Sequence, residues 1–173
     1  MSEGYAVRRL TPSDVARYVE LRREMLLDTP VAFLGDPSDD ECLDPAVMSA
    51  RLAGEESAVF CVVDGADALC AVAGLYRETR AKMRHRCTIW GVYTRPGHRR
   101  LGLSRAVLEA AIQHGERLDG VEILQLSVSV EAPGARRLYE SLGFTAWGRE
   151  PRAVRVGERQ VDEVHMWRPA GGR

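Results

Sequence analysis

Apolar positions along the chain recur at two spacings, and the alternation between them lays out the elements. Val15, Tyr18, Val19, Met25 and Leu26 fall on one face of an amphipathic helix. Thr11 can cap it, Pro12 suits its first position, Asp14 favours its dipole, and Thr29-Pro30 ends it. Asp44-Pro45 starts a second helix that Gly54 can terminate. Shorter apolar runs have the length of strands: Tyr5 to Leu10, then Ala58 to Val63 and Ala68 to Leu75. Asp64-Gly65-Ala66-Asp67 joins the last two as a hairpin.

The central strand carries Ile89, Trp90, Val92 and Tyr93 and gives way at Pro96-Gly97 to a helix with Leu103, Val107, Ala111, Ile112 and Leu118 on its buried face. Asp119-Gly120 stops that helix, and Val121 to Val130 reads as an interior strand. Leu138 and Tyr139 lie in a short helix ended by Gly143. Phe144 begins the final strands, which Glu150-Pro151 interrupts and Gly157-Glu158 turns into Val161 to Trp167. Residues 169–173 are expected to fray. With no internal repeat or linker, the pattern predicts one α/β domain over residues 1–173 with a mixed sheet.

Composition narrows the partners. A net charge of -1 and a pI near 6.4 give no general pull toward nucleic acid or an anionic membrane, so neither is expected as a partner. No apolar run approaches the roughly 18 residues that span a bilayer. MSEGYAVRRL lacks a signal-peptide core, so the expected location is cytoplasmic. Cys42, Cys61, Cys70 and Cys87 form no C-x-x-C pair and no zinc spacing. Three lie in apolar strand-like runs, which points to buried reduced thiols and to no metal. His98 and His114, set in polar sequence, read as surface residues. Asp36, Asp39, Asp40 and Glu41 make an acidic loop that is either solvated or attractive to a cationic amine. The basic run Arg77 to Arg86 has only Tyr76 nearby for base stacking, so it reads as a turn flanking a ligand rather than an RNA contact.

The chemistry gathers at the turn after the central strand. Backbone N–H groups at a helix start lack partners and carry partial positive charge, so this turn can hold a phosphate. Gly102 allows close approach and Arg99, Arg100 and Arg105 add charge. Gly97 to Ser104 matches a nucleoside-triphosphate loop except that Leu103 replaces its lysine, and the three-glycine dinucleotide pattern is absent. Arg99-Arg100-Leu101-Gly102-Leu103-Ser104 resembles instead the Arg/Gln-x-x-Gly-x-Gly/Ala pyrophosphate loop of the GCN5-related N-acetyltransferase (GNAT) superfamily, with Ser104 where Gly or Ala is usual. Leu126 to Val130 followed by Ala135 to Phe144 resembles that superfamily's second core motif. Val161 to Met166 and Pro30 to Phe33 resemble further recurrent segments, and Ala132 stands where an asparagine is common.

That resemblance implies a GNAT-type mixed, mostly antiparallel twisted sheet flanked by helices. It also implies acetyl transfer from acetyl-CoA, with CoA as product, to an amine of a small molecule or peptide. The implied cofactor contacts are Val92, Tyr93, Thr94, Arg99, Arg100, Leu101, Gly102, Leu103, Ser104, Arg105, Ala135 and Tyr139. Tyr139 is the expected proton donor to the leaving thiolate, and Tyr93 is a further candidate catalytic residue. Glu20, Glu24, Phe33 and Trp90 are expected near the substrate. The central strand holds no glutamate, so His85 and Glu163 are the candidate bases. Deprotonating a lysine-like amine of pKa about 10.4 at neutral pH costs about 4 to 5 kcal/mol, an α-amine near 8 about a third of that. Two other readings remain: a CoA-binding module without turnover, and nucleic-acid binding through the Arg77 to Arg105 charges. The acceptor is left open, as is a homodimer.

Overall fold

The computed structural model describes residues 4–171. Its strands are β1 (Ala6–Arg9), β2 (Ser57–Val63), β3 (Leu69–Arg77), β4 (Arg86–Thr94), β5 (Ile123–Ser129), β6 (Thr145–Val156) and β7 (Arg159–Pro169). Its helices are α1 (Val15–Asp28), α2 (Pro45–Ala53), α3 (Leu103–Arg117) and α4 (Pro133–Ser141). The strands form one sheet in the order β1-β2-β3-β4-β5-β7-β6, in which β4 and β5 alone run parallel. The expected α/β fold with a mostly antiparallel sheet is present.

Local chemistry accounts for the boundaries. The Asp44 side chain accepts from the Ala46 and Val47 N–H groups and opens α2. Asp14 accepts from the Thr11 N–H and caps the 3-10 turn before α1. It is buried, however, and bridges Arg8 and Arg17, so its main partners are guanidinium groups rather than the helix dipole. Each sheet face has its own core. One packs α3 and α4 through Leu103, Val107, Leu108, Tyr139 and Phe144; the other packs α1 and α2 through Tyr18, Leu21, Met25, Met48 and Tyr93.

Three expectations change. Glu150-Pro151 does not break the last strands: β6 runs through them as an edge strand with a register shift between Glu150 and Val154. An edge tolerates the missing proline N–H, and Asp162 takes the Arg152 N–H at 2.7 Å. The tail is tied down as far as it is described: Pro169 ends β7, Ala170 N–H donates to Glu122 O at 2.8 Å and Gly171 N–H to Glu116 at 3.3 Å. Gly172 and Arg173 lie outside the described residues. His98 and His114 are partly buried, bonded to Tyr5 and to the Glu55 carbonyl respectively. All four cysteines are free and buried, and burial pushes the Cys61 and Cys87 thiols up to about 11. Among the described residues no helix is long and apolar enough to cross a membrane.

Candidate active site

Two irregularities in β4 open the middle of the sheet. Val72 pairs with Tyr93 but Gly74 with Trp90, so Gly91 and Val92 together oppose Ala73, and Gly91 takes φ +60°. This bulge reverses the side-chain alternation. Trp90 and Tyr93, three residues apart, therefore both face α1 and α2. Beyond Thr88, β4 also parts from β5: they pair only from Arg86–Thr88 to Ile123–Gln125. Two buried side-chain polar atoms find no partner among the described residues, the Tyr18 hydroxyl and the Trp90 indole nitrogen. Both lie by the bulge, and buried side-chain donors of this kind are normally paired.

The turn from β4 into α3 faces solvent. Arg99, Arg100, Leu101 and Gly102 are exposed, and Arg100 (φ 64°) and Gly102 (φ 79°) adopt left-handed backbone. The first bond of α3 is Ala106 N–H to Gly102 O, which leaves the Leu103, Ser104 and Arg105 N–H groups without helical partners. Nothing lies within 4 Å of where a Gly102 Cβ would sit, so the turn is open at Gly102, and free N–H groups at a helix start are the kind of donors that hold an anion. Ser104, the departure from the expected small residue, bonds Thr94 at 2.7 Å and joins helix to strand. The three arginines differ. Arg99 pairs with Asp28 and lies over the Tyr93 ring, Arg105 bonds Ser141 at 2.6 Å, and Arg100 has no side-chain partner among the described residues.

On the opposite face lies a cavity of about 990 Å³. Its walls include Phe33, Trp90, Thr88 and Ser127, with Glu163 from β7. Glu163 is buried and its carboxylate makes no hydrogen bond among the described residues. The supposed acidic loop forms part of the wall. Asp40 is not solvated: it grips Arg22 at 2.5 Å, with side chains 5% and 7% exposed. Arg22 and Arg51 lie over the Trp90 ring, each 5.8 Å from its centre. Arg22 was missed in the sequence although its place was readable, since it sits four residues after Tyr18 and three before Met25 on the apolar stripe of α1. Arg77 and Thr79 of the basic segment also line the cavity, while Arg77 and Arg84 pair with Glu56.

The remaining candidates separate. Phe33, Trp90 and Glu163 meet at the cavity, but His85 does not join them. It precedes β4 at the end remote from the bulge, its carbonyl accepting from Glu122 and Ile123 and its ring from Arg86 at 3.2 Å. Glu24 is likewise turned away, taking Arg95 at 2.9 Å and the Tyr93 hydroxyl at 3.3 Å, and Glu20 is exposed on α1. The Tyr93 phenol is pushed up by burial, then by the Asp28 and Glu24 carboxylates. Tyr139 lies in the other core with Leu103 and Leu126, edge-on to Phe144, and burial raises its phenol. Ala135 and Ala132 pack against the same core.

The family model described as Acetyltransferase (GNAT) family matches residues 19–144. The chain belongs to the GNAT acetyltransferase family. No curated protein matches it. Among solved structures, this GNAT chain is similar to a GNAT-family acetyltransferase from Streptococcus pneumoniae, with TM-score 0.84 and 22% identity over 96% of this chain and 99% of that one. A phosphinothricin acetyltransferase from Sinorhizobium meliloti, solved with acetyl-CoA, gives 0.83 and 22% over 97% and 89%. Spermidine N-acetyltransferase from Vibrio cholerae, solved with CoA and spermine, gives 0.78 and 18% over 98% and 97%. At these identities the likeness is one of fold.

Proposed function

We propose that the protein is an N-acetyltransferase that moves the acetyl group of acetyl-CoA to a primary amine of a small molecule or peptide by direct attack within a ternary complex. The observation that carries this reading is an arrangement along β4: the open donor-rich start of α3 just beyond its end at Thr94, its parting from β5 after Thr88, and a cavity at its bulge walled in part by the Glu163 carboxylate. Acetyl-CoA, when bound, supplies an activated thioester, and solved relatives of the same fold carrying acetyl-CoA or CoA support that choice.

In this reading the N–H groups of Leu101, Gly102, Leu103, Ser104 and Arg105, with the Arg100 guanidinium, hold the diphosphate. The backbone of Val92, Tyr93 and Thr94 orients the chain that leads to the thioester, and Ala135 packs beside it. Tyr139 gives a proton to the departing thiolate. Glu163, beside Ser127, holds the acceptor's ammonium and takes its proton, while Phe33 and Trp90 form the apolar wall. Tyr93 and Glu24 support that wall from behind, and Arg99 locks the turn to α1 through Asp28.

Free-thiol release measured with a panel of amines tests the proposal, and the panel should include phosphinothricin, spermidine, free amino acids and a peptide N-terminus. At least one amine is expected to release CoA in step with its own acetylation. Tight acetyl-CoA binding without release by any amine would replace this reading with a cofactor-binding module.

A further inference from the structure

We propose that Asp64, Cys70 and His98 form a zinc site that fastens the β2–β3 turn to the segment entering Arg99. One ligand atom from each residue, a carboxylate oxygen, a sulfur and a ring nitrogen, all lie within 4.8 Å of one another. A tetrahedral zinc ion with bonds of about 2.0 to 2.3 Å sets its ligand atoms about 3.5 Å apart. Closing the site therefore needs movements of about 1 Å, which the two turns bearing Asp64 and His98 can supply around Cys70, held in β3.

Two contacts organise the ligands. The Asp64 Oδ1 atom accepts from the Ala66 and Ala68 N–H groups at 2.9 and 3.0 Å, which fixes the carboxylate beside the Cys70 thiol. The His98 Nδ1 atom bonds the Tyr5 hydroxyl at 3.0 Å, with the two rings edge to face, which fixes the imidazole as outer hydrogen bonds do for metal-bound histidines. The Cys70 thiol now donates to Ala68 O at 3.3 Å, and zinc would displace that proton. One sulfur, one imidazole and one carboxylate favour zinc over magnesium or calcium, and three protein ligands leave a fourth position for water. No zinc spacing is visible along the chain because the ligands come from a hairpin turn, a strand and a second turn. The Arg95 N–H already donates to the Cys70 carbonyl at 2.9 Å, so the ion would add a second tie to the same segment.

The proposal is independent of acetyl transfer, and its test needs no acetyl-CoA. Metal-stripped full-length protein titrated with Co²⁺ should bind one ion per chain and show a thiolate-to-cobalt absorption band, which added Zn²⁺ removes. Cys70→Ser should lose the band. Asp64→Asn keeps an amide oxygen for the Ala66 and Ala68 bonds and should weaken Co²⁺ binding by about tenfold or more, as should Tyr5→Phe. His98→Gln, on a surface turn, serves as the ligand variant if Cys70→Ser fails to fold, and it too should lose tetrahedral Co²⁺ binding. Absence of a cobalt–thiolate band, a band that survives in folded Cys70→Ser or in His98→Gln, or unchanged affinity in Asp64→Asn would overturn the site.

Discussion

Tyr139 and Glu163 divide the proposed chemistry between two side chains of opposite character. Burial raises the Tyr139 phenol, so it stays protonated at neutral pH and keeps its O–H as a donor to the departing sulfur. Tyr139→Phe should cut turnover by about a hundredfold or more while leaving acetyl-CoA affinity, measured by calorimetry, nearly unchanged. Equal turnover would remove Tyr139 from catalysis. For Glu163→Gln the loss should be greater with lysine-like amines than with α-amines of lower pKa, because the former need more help to deprotonate. A uniform loss across amines would point to binding alone. Asp14 gives the pH prediction. The Arg8 hydrogen bond holds its carboxyl well below the usual range, against burial and with help from the Thr11 N–H and Arg17. A depressed folded value stabilises the protein above the unfolded pKa of about 3.9 and loses that contribution as pH falls below it. Asp14→Asn should cost about 1 to 3 kcal/mol at pH 7, and denaturant titrations should show the gap to the parent narrowing at pH 3.

Among the elements, β4 decides where the site forms, and its bulge is the feature least visible in sequence. A strand reading of Trp90 and Tyr93 puts them on opposite faces; the extra residue at Gly91–Val92 puts them on the same one. No residue type announces that change, because bulges follow from pairing with β3. The two glycines involved predict different outcomes. Around Gly91 a Cβ would meet nothing closer than 3.6 Å, so Gly91→Ala has room and pays only for its positive φ, about 1 to 2 kcal/mol. At Gly74 a Cβ would overlap the Trp90 indole itself. Gly74→Ala should push the ring toward the cavity, cost about 1 to 3 kcal/mol and raise KM for the acceptor. Comparing the two by thermal unfolding and acceptor KM separates backbone strain from lost seating: Gly74→Ala should change KM more per kcal/mol lost.

At the scale of the whole molecule, what was legible in the sequence is what neighbours along the chain decide. The Asp64–Asp67 turn, the Asp44-Pro45 helix start and the apolar stripe of α3 are each set within a few residues, and they stand where the pattern put them. The turn that ends at Gly102 and opens α3 was legible for the same reason. The cavity was not: Phe33, Trp90 and Glu163 come from three distant parts of the chain, and Glu24 and His85, equally plausible as isolated residues, turn elsewhere. The proposed ligand would span both kinds of feature, touching the α3 start and the opening between β4 and β5, and so should stabilise the fold by mass action. At a hundred times its Kd, acetyl-CoA should add about 2.7 kcal/mol, which for a domain of this size raises Tm by about 5 to 10 °C. Arg100→Glu sets a negative charge beside the open amides without touching either core. It should remove most of that rise while leaving the ligand-free Tm within about 2 °C of the parent, since exposed surface substitutions usually change stability by less than about 0.5 kcal/mol. A full ligand-induced rise in Arg100→Glu would move the anion site away from the α3 start, and with it the basis for placing the thioester at the bulge.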